Sequence, residues 1–203
     1  MKTSLFIILF LFSLKLCAQP NDRFLFGGAL GYRYSSDKGG EEAGNGVENE
    51  EHLFQVNAAA GYFVSRNIAL GLSVENLYDK VVYDDYTFDE IFENALFFSA
   101  FARYYTAYGI FLHGQAGLGY SDIEMDGKPI PGSTGYHSIS ISKDYNISGF
   151  IAGIGYRIPL NEALSIEPNL NYMRLKYTTR KEVTGDFVRN GMMFSVGLVY
   201  YLK

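Results

Sequence analysis

The sequence has very little cysteine: Cys17 is the one cysteine among 203 residues. It lies in an N-terminal segment with the features of a signal peptide. The charged Lys2 precedes a short apolar run, Leu5–Leu14, and Ala18 supplies a small residue for cleavage. Cleavage after Ala18 would leave residues 19–203, which contain no cysteine. Disulfides, cysteine nucleophiles and thiolate metal sites are then excluded.

Residues 1–18 are therefore predicted to form a cleaved signal peptide and residues 19–203 a single domain. Two alternatives are a retained hydrophobic strand or anchor, and a lipid-modified Cys17. Lipoprotein processing requires a small residue before the cysteine, but Leu16 stands there and Lys15 interrupts the apolar run. Simple cleavage is the favoured interpretation.

Basic residues and proline are also scarce. The chain has 17 Lys and Arg against 22 Asp and Glu, a formal net charge of -5, which argues against nucleic acid as a partner. Proline numbers 5 and tryptophan is absent, whereas tyrosine numbers 17, phenylalanine 16 and glycine 22. This aromatic-rich composition favours a β-rich fold over a disordered chain.

No apolar stretch after residue 18 is long enough for a transmembrane helix, which needs about 20 residues. A chain of this kind can cross a bilayer only as a closed β-barrel, because closure satisfies every backbone hydrogen bond in lipid. If the protein enters a membrane, its strands must therefore form such a barrel.

Eight segments alternate between apolar residues and small or polar ones, the period-two pattern of strands with two unlike faces. The second carries Phe54 and Val56 on one face and Gln55 and Asn57 on the other. The polar face is rich in Gly, Ser, Asn and Gln, which suits a crowded lumen, and the apolar face is predicted to meet lipid. A soluble, lipocalin-like barrel would need the reverse arrangement. The segments are Phe24–Tyr34, His52–Val64, Ile68–Tyr78, Asn94–Tyr105, Ile110–Tyr120, Tyr145–Ile158, Ala163–Tyr177 and Gly191–Leu202.

The connections alternate between short and long. The short ones are Ser65–Asn67, Thr106–Gly109 and Pro159–Glu162, and the long ones are Ser35–Glu51, Asp79–Glu93, Ser121–Asp144 and Thr178–Asn190. This alternation is typical of outer-membrane barrels, with short turns in the periplasm and long loops outside. We predict an all-β fold: an eight-stranded antiparallel up-and-down transmembrane β-barrel with short periplasmic turns, long extracellular loops and both termini in the periplasm.

Tyrosines recur near the end of each segment on its apolar face. They are predicted to form two aromatic girdles at the headgroup levels, where an amphipathic ring is stable. The girdle on the short-turn side comprises Tyr62, Tyr104, Tyr156 and Tyr200, and the girdle on the long-loop side comprises Tyr34, Tyr78, Tyr120 and Tyr172.

Several segments carry a family resemblance: Phe101–Tyr105 before a short turn, Gly149–Tyr156, the signal ending Cys17–Gln19, and the alternating last strand. With them, residues 19–203 resemble the small outer-membrane β-barrel domain family, which is OmpA/OmpX-like, and especially porin-family proteins of Bacteroidetes type. The resemblance implies contact with outer-membrane lipid and lipopolysaccharide, and insertion by the barrel-assembly machinery. Such barrels usually end on an aromatic residue, and this chain departs from that by ending Leu202-Lys203.

Charged residues on the polar faces are the candidates for a site in the lumen. An eight-stranded barrel is just wide enough for side chains to fill it, so we expect a polar plug, not a pore. Glu75 and Glu167 are predicted to pair with inward arginines, because buried charges need partners. A gated path for small solutes or a small-ligand pocket is the alternative. The predicted network comprises Arg33, Glu75, Arg103, Arg157 and Glu167.

The sequence offers little support for catalysis. Some outer-membrane barrels act on lipid through a Ser/His/acid set, and His137 with Ser138 or Ser140 is the one pair worth naming here. Neighbours on an extended strand point to opposite faces, which disfavours His137/Ser138. We predict no catalytic residue, no cofactor and no metal site; a lipid-modifying enzyme is the remote alternative.

The long connections are the more promising working surface. Ser35–Glu51 is acidic and glycine-rich, and Asp79–Glu93 combines carboxylates with aromatic residues. Such loops could contact an extracellular protein or glycan. Alternation around Ile139 and Ile141 also suggests that the sixth strand rises above the membrane, where its edge could pair with a partner strand. We therefore predict a monomeric barrel with a structural or adhesion-type surface role.

Overall fold

A computed structural model describes residues 24–38, 48–83, 88–127, 140–179 and 186–202 of the chain. The predicted signal peptide, residues 1–18, and the pair His137/Ser138 lie outside the described residues. Among the described residues, no helix has the length and apolarity that a membrane span requires.

Long strands make up almost all of the described chain. The strands are β1 (Phe24–Lys38), β2 (Glu48–Phe63), β3 (Ile68–Tyr83), β4 (Phe88–Tyr105), β5 (Ile110–Gly127), β6 (Ser140–Tyr156), β7 (Ile158–Pro159), β8 (Leu164–Thr179) and β9 (Phe187–Leu202). They pair antiparallel in the order β6-β5-β4-β3-β2-β1-β9-β8-β7, and a β6–β8 ladder closes the ring. Since β7 has only 2 residues and continues the line of β6, the barrel has eight long strands, as predicted.

The outward faces carry the large apolar side chains. Leu72 is 70% exposed and Leu118 is 68% exposed, whereas Ser73, next to Leu72 on β3, is 7% exposed. A belt of exposed apolar residues this extensive is far larger than the patches that soluble monomers tolerate. The alternation along each strand therefore places the apolar side chains outside and the small and polar ones inside.

The strands are longer at the long-loop end than predicted, which corrects the boundaries of the long connections. β3 continues to Tyr83 and β4 begins at Phe88, so Asp79 and Glu93 belong to strands and are paired with each other in the ladder. β5 likewise runs to Gly127. The apolar outer face ends where lipid ends, but backbone pairing continues, so a prediction based on hydrophobic alternation stops too early.

The lumen is stratified, as the inward residues of β4 illustrate. From the short-turn end they run through Tyr105, Arg103 and Phe101, then Ser99, then Phe97. The short-turn cluster of buried apolar side chains comprises Leu25, Ala69, Phe101, Tyr105, Phe111, Val199 and Tyr201. The long-loop cluster comprises Leu53, Leu77, Ala95, Phe97, Ile123, Tyr145, Ile147, Ile151, Met173, Leu175, Tyr177 and Met193. The lumen thus combines buried apolar clusters with the polar side chains that the sequence predicts.

Glycines make room for the aromatic rings inside. A Cβ on Gly71 would lie 2.5 Å from Cζ of Phe101, and one on Gly61 would lie 2.9 Å from the same atom. A Cβ on Gly155 would lie 2.7 Å from Cε1 of Phe111. Rings from β4 and β5 therefore occupy the space that side chains on β2, β3 and β6 would need, which closes the lumen near its short-turn end.

The short turns are built by side-chain caps and one left-handed glycine. Ser65 Oγ accepts from the backbone N–H of Ile68 at 3.1 Å, and Asn161 Oδ1 accepts from the N–H of Leu164 at 2.9 Å. Gly109 has a φ of 84°, a conformation that glycine adopts without steric cost. These local interactions fix the registers of the hairpins.

Candidate functional site

Glu167 anchors a buried network at the short-turn end of the lumen. Its carboxylate accepts from Arg103 Nη1 at 2.7 Å and from the Tyr201 hydroxyl at 2.5 Å. The Tyr105 hydroxyl donates to the same carboxylate at 3.4 Å. The Arg103 guanidinium lies 4.9 Å from the centroid of the Phe111 ring, which adds a cation–π contact. Glu167 and Arg103, both predicted lumen residues, are therefore brought together as an ion pair.

Arg157 lies on the same side of the barrel but has a different environment. Its guanidinium carbon is 4.1 Å from the centroid of the Tyr201 ring. The aromatic face, by its quadrupole, supplies the electrostatic attraction for this arginine. Tyr201 thus contacts both Arg157 and Glu167, and sequence reasoning missed it because attention fell on charged residues alone.

Glu75, which is fully buried, is surrounded by amides in the middle of the lumen. Gln55 Nε2 donates to its carboxylate at 2.5 Å and Asn57 Nδ2 at 3.2 Å, and Gln115 Nε2 also donates to it. The prediction that Glu75 pairs with an inward arginine is wrong for the described residues. The arginines of the lumen lie nearer its two ends, and the amides of β2 and β5 reach Glu75 first.

A small cavity of about 30 Å³ lies beside Glu75, lined also by His113 and Asn171. Nδ1 of His113 and Oδ1 of Asn171 are buried and have no hydrogen-bond partner. A cavity of this size has room for water, which needs roughly 10–15 Å³. The polar layer therefore contains a water-sized chamber within the barrel.

A second ionic cluster lies at the long-loop end. Arg189 Nη1 is 2.8 Å from Asp79 Oδ2 and also pairs with Glu93, while Arg189 Nε is 3.8 Å from Glu51 Oε1. Arg33, predicted to lie in the lumen, pairs with Glu51. The cluster thus contains two guanidinium groups and three carboxylates. Sequence reasoning placed these carboxylates in loops, although their two-residue alternation with Leu53, Leu77 and Ala95 was available as a signal.

Aromatic rings cap this cluster. Tyr177 and Phe187 stack with centroids 4.5 Å apart, and Tyr145 meets Phe187 edge-on at 5.3 Å. Arg189 lies 5.5 Å from the centroid of the Tyr177 ring. The long-loop end of the lumen is therefore filled by an ionic cluster with aromatic packing beside it.

The eight predicted girdle tyrosines all lie on the outward face. Tyr104 pairs with Ile68 at the start of β3, beside a short turn, and Tyr34 pairs with His52 towards the long-loop end of β1. Seven are exposed and Tyr62 is partly covered, lying 5.4 Å from the Phe24 ring. The exposed ones are Tyr34, Tyr78, Tyr104, Tyr120, Tyr156, Tyr172 and Tyr200.

The described residues hold few candidates for metal binding or catalysis. No three His, Cys, Asp or Glu side chains in the described ranges are arranged to hold a metal ion. His52 contacts the Tyr32 hydroxyl at 2.9 Å on the outer surface, and His113 lies inside the lumen beside Phe111. Within the described part of the chain, neither histidine has both a serine and a carboxylate arranged around it.

A closed antiparallel barrel with an apolar exterior and a filled lumen defines an integral membrane β-barrel of the bacterial outer membrane. Residues 4–201 match the family model described as outer membrane protein beta-barrel domain, and the chain belongs to this family. Among curated proteins, no sequence matches the chain.

Solved structures of small outer-membrane barrels are similar to this chain at low sequence identity. Neisserial surface protein A is 14% identical, with a TM-score of 0.45 and coverage of 89% of this chain and 96% of that one. Ail, the attachment invasion locus protein of Yersinia pestis, is 14% identical, with a TM-score of 0.45 and coverage of 89% and 98%. OprG from Pseudomonas aeruginosa is 13% identical, with a TM-score of 0.47 and coverage of 92% and 98%.

Proposed function

We propose that this protein is a surface-interaction protein of the outer membrane, whose lumen is a structural plug and whose working surface is the part of the barrel above the outer girdle. The observation that carries the proposal is the continuation of the strands beyond the membrane. β5 runs from Tyr120 in the girdle to Gly127, and β6 pairs with it from Ser140 onward. Paired strands of this kind present a rigid platform to the outside.

The filled lumen supports a structural over a transporting role. The Arg103–Glu167 network, the polar layer around Glu75 and the Arg189 cluster follow one another along the axis, with apolar packing between them. These layers place paired and packed side chains along the axis of the lumen, which supports a structural role. We infer that the barrel wall and plug exist to hold the outer platform in place.

The outward face of the platform is acidic on β5 and β6. Asp122 and Glu124 on β5 and Asp144 on β6 are all exposed, and Asp122 and Asp144 are paired across the ladder. A surface with this charge attracts basic partners and repels polyanions. The partner that suits it best is an extracellular protein with a basic patch.

The experiment compares the purified protein in neutral phosphatidylcholine nanodiscs with a variant carrying Asp122→Asn, Glu124→Gln and Asp144→Asn. Binding to immobilised polylysine and to heparin is measured by interferometry. We expect the wild type to bind polylysine in a salt-sensitive manner, the triple variant to bind it more weakly, and neither to bind heparin. Glu162→Gln, a charge change in a periplasmic turn, is the matched control and should bind like the wild type. If the triple variant bound polylysine as well as the wild type does, the acidic platform would not be the surface that binds the partner.

A narrow small-solute channel is the alternative function, and the water-sized chamber beside Glu75 is the feature that favours it. Planar-bilayer recording separates the two functions. We expect no discrete conductance steps from the wild type, and reproducible steps would favour the channel.

We also propose that the protein is exported through a cleaved signal peptide and that lipopolysaccharide surrounds its outer girdle. The N-terminal pattern at Lys2 and Leu5–Leu14 supports cleavage. N-terminal sequencing of protein from outer-membrane fractions should begin at Gln19; a sequence beginning upstream would contradict cleavage after Ala18.

A further inference from the structure

The lipid-facing side of β6 continues past the periplasmic girdle. Ile154 and Tyr156 are exposed on the outer face, and the alternation then continues with Ile158, 43% exposed, and Leu160, 54% exposed. Ile158 belongs to β7, which pairs with the start of β8 and so extends the barrel wall beyond the tyrosine level. The apolar exterior is therefore longer here than the girdle alone would define.

The neighbouring turn adds a third apolar side chain at the same level. Tyr108 is 84% exposed at the tip of the β4–β5 turn. The N–H of Arg157 donates to the carbonyl oxygen of Gly109 at 2.8 Å, which fixes the two turns side by side. Tyr108, Ile158 and Leu160 together form a patch that we call the apolar rim.

The β2–β3 turn differs in character. Its residues Ser65–Asn67 are polar, and Arg66 at the tip is exposed. Asn67 Nδ2 donates to the carbonyl oxygen of Tyr105 at 2.7 Å, so this turn is held against the end of β4. The periplasmic end therefore carries exposed apolar side chains at two adjacent turns, with Asn161 and Glu162 next to them in the β6–β8 turn, and a wholly polar tip at the third.

We propose that the apolar rim is inserted into the inner, phospholipid leaflet of the outer membrane, so that the barrel axis tilts towards the β4–β5 and β6–β8 turns. Phospholipid is the occupant because the rim is continuous with the lipid-facing surface through Tyr156, with no polar residue between them on that face. Exposed tyrosine and branched aliphatic side chains are stabilised at and below the headgroup level. The polar β2–β3 turn has no such stabilisation, and the difference between this turn and the apolar rim tilts the barrel.

The absence of tryptophan allows a direct test, because each single tryptophan variant carries a unique fluorophore. The full chain with Leu160→Trp, Tyr108→Trp or Arg66→Trp is folded into phosphatidylethanolamine/phosphatidylglycerol vesicles with and without brominated acyl chains. We expect Leu160→Trp and Tyr108→Trp to show blue-shifted emission, quenching by lipid bromine and protection from iodide. Arg66→Trp should be quenched by iodide and little affected by bromine.

Since tryptophan itself favours membrane interfaces, a second measurement uses no tryptophan. Polarised infrared dichroism of the amide I band reports strand tilt in oriented bilayers of the same lipids. The double variant Tyr108→Ser/Leu160→Asn should shift the dichroic ratio towards a more upright barrel, while Arg66→Gln should leave it unchanged. Iodide-accessible fluorophores at positions 108 and 160, or an unchanged dichroic ratio in the double variant, would overturn the proposal and leave the rim as a surface for a periplasmic protein.

Discussion

Arg103 on β4 and Glu167 on β8 form an ion pair of 2.7 Å across the lumen, between strands that are not neighbours in the barrel. Both side chains are largely removed from water, and the hydroxyls of Tyr201 and Tyr105 share the carboxylate. The pair therefore connects opposite parts of the wall near the periplasmic end, where the chain termini of the barrel also meet in the β1–β9 ladder.

Breaking this pair should destabilise the barrel strongly. Arg103→Ala leaves Glu167 as an uncompensated buried charge, and removing one partner of a buried pair costs about 3–5 kcal/mol. Urea unfolding in detergent micelles measures the loss. Lys176→Ala, which removes an exposed pair with Asp186, is the control and should change stability by less than about 1 kcal/mol. Similar stabilities for the two variants would mean that the buried pair contributes no more to the free energy of unfolding than the exposed pair does.

Glu75 should behave differently from Glu167 when each is replaced by glutamine. Glu75 is held by neutral amides, whose oxygen and nitrogen ends can exchange to suit an uncharged group. We expect Glu75→Gln to change the free energy of unfolding by less than about 1 kcal/mol or to raise it, because a buried charge is lost with its neighbours still satisfied. Glu167→Gln should cost more, because it leaves Arg103 without a counter-charge.

The same urea titration applied to both glutamine variants checks this ordering. A larger loss for Glu75→Gln than for Glu167→Gln would contradict this ordering and indicate that the amides stabilise the carboxylate of Glu75 far more than a neutral group.

Gly155 and Phe111 should show a coupled effect. A Cβ at Gly155 meets Cε1 of Phe111 at 2.7 Å and Cβ of Asn169 at 2.8 Å, so Gly155→Ala should destabilise the barrel by about 1–3 kcal/mol through overpacking. Phe111→Leu removes ring atoms from that site and should restore part of the loss in the double variant. A double-mutant cycle of unfolding free energies measures the coupling. Additive effects would show that the ring can move aside without cost.

The barrel wall could be predicted from the sequence, and much of the lumen could not. Apolar residues such as Phe54 and Val56 alternate with polar ones because lipid lies outside the wall and because the side chains of a strand alternate between its two faces. The turn at Gly109 depends on local backbone conformation alone. These signals are contained within one hairpin. They gave the eight strands and the closed antiparallel topology.

Which side chains meet inside the lumen depends on the register of all the strands around the closed barrel. No single hairpin encodes that register. Asp79 and Glu93 are direct partners in the β3–β4 ladder, and Arg189 from β9 reaches both of them from a distant strand. The pairing of Arg33 with Glu51 was missed because Glu51 was assigned to a loop. Above the girdle, lipid no longer imposes an apolar face, so the strand pattern that would have revealed Glu51 weakens there.

Asp122 and Asp144 provide a prediction for the outer platform. They are directly opposite in the β5–β6 ladder on the exposed face, where like charges destabilise a sheet by roughly 0.2–1 kcal/mol. Asp122→Asn keeps an oxygen for the hydroxyl of Ser142, which donates to Asp122 at 3.0 Å, and removes the repulsion.

We expect this variant to be more stable than the wild type, with the difference shrinking as salt screens the carboxylates. Thermal unfolding in detergent at low and high sodium chloride measures both effects. A stability gain for Asp122→Asn that is independent of salt would assign the effect to hydrogen bonding and not to repulsion between the two carboxylates.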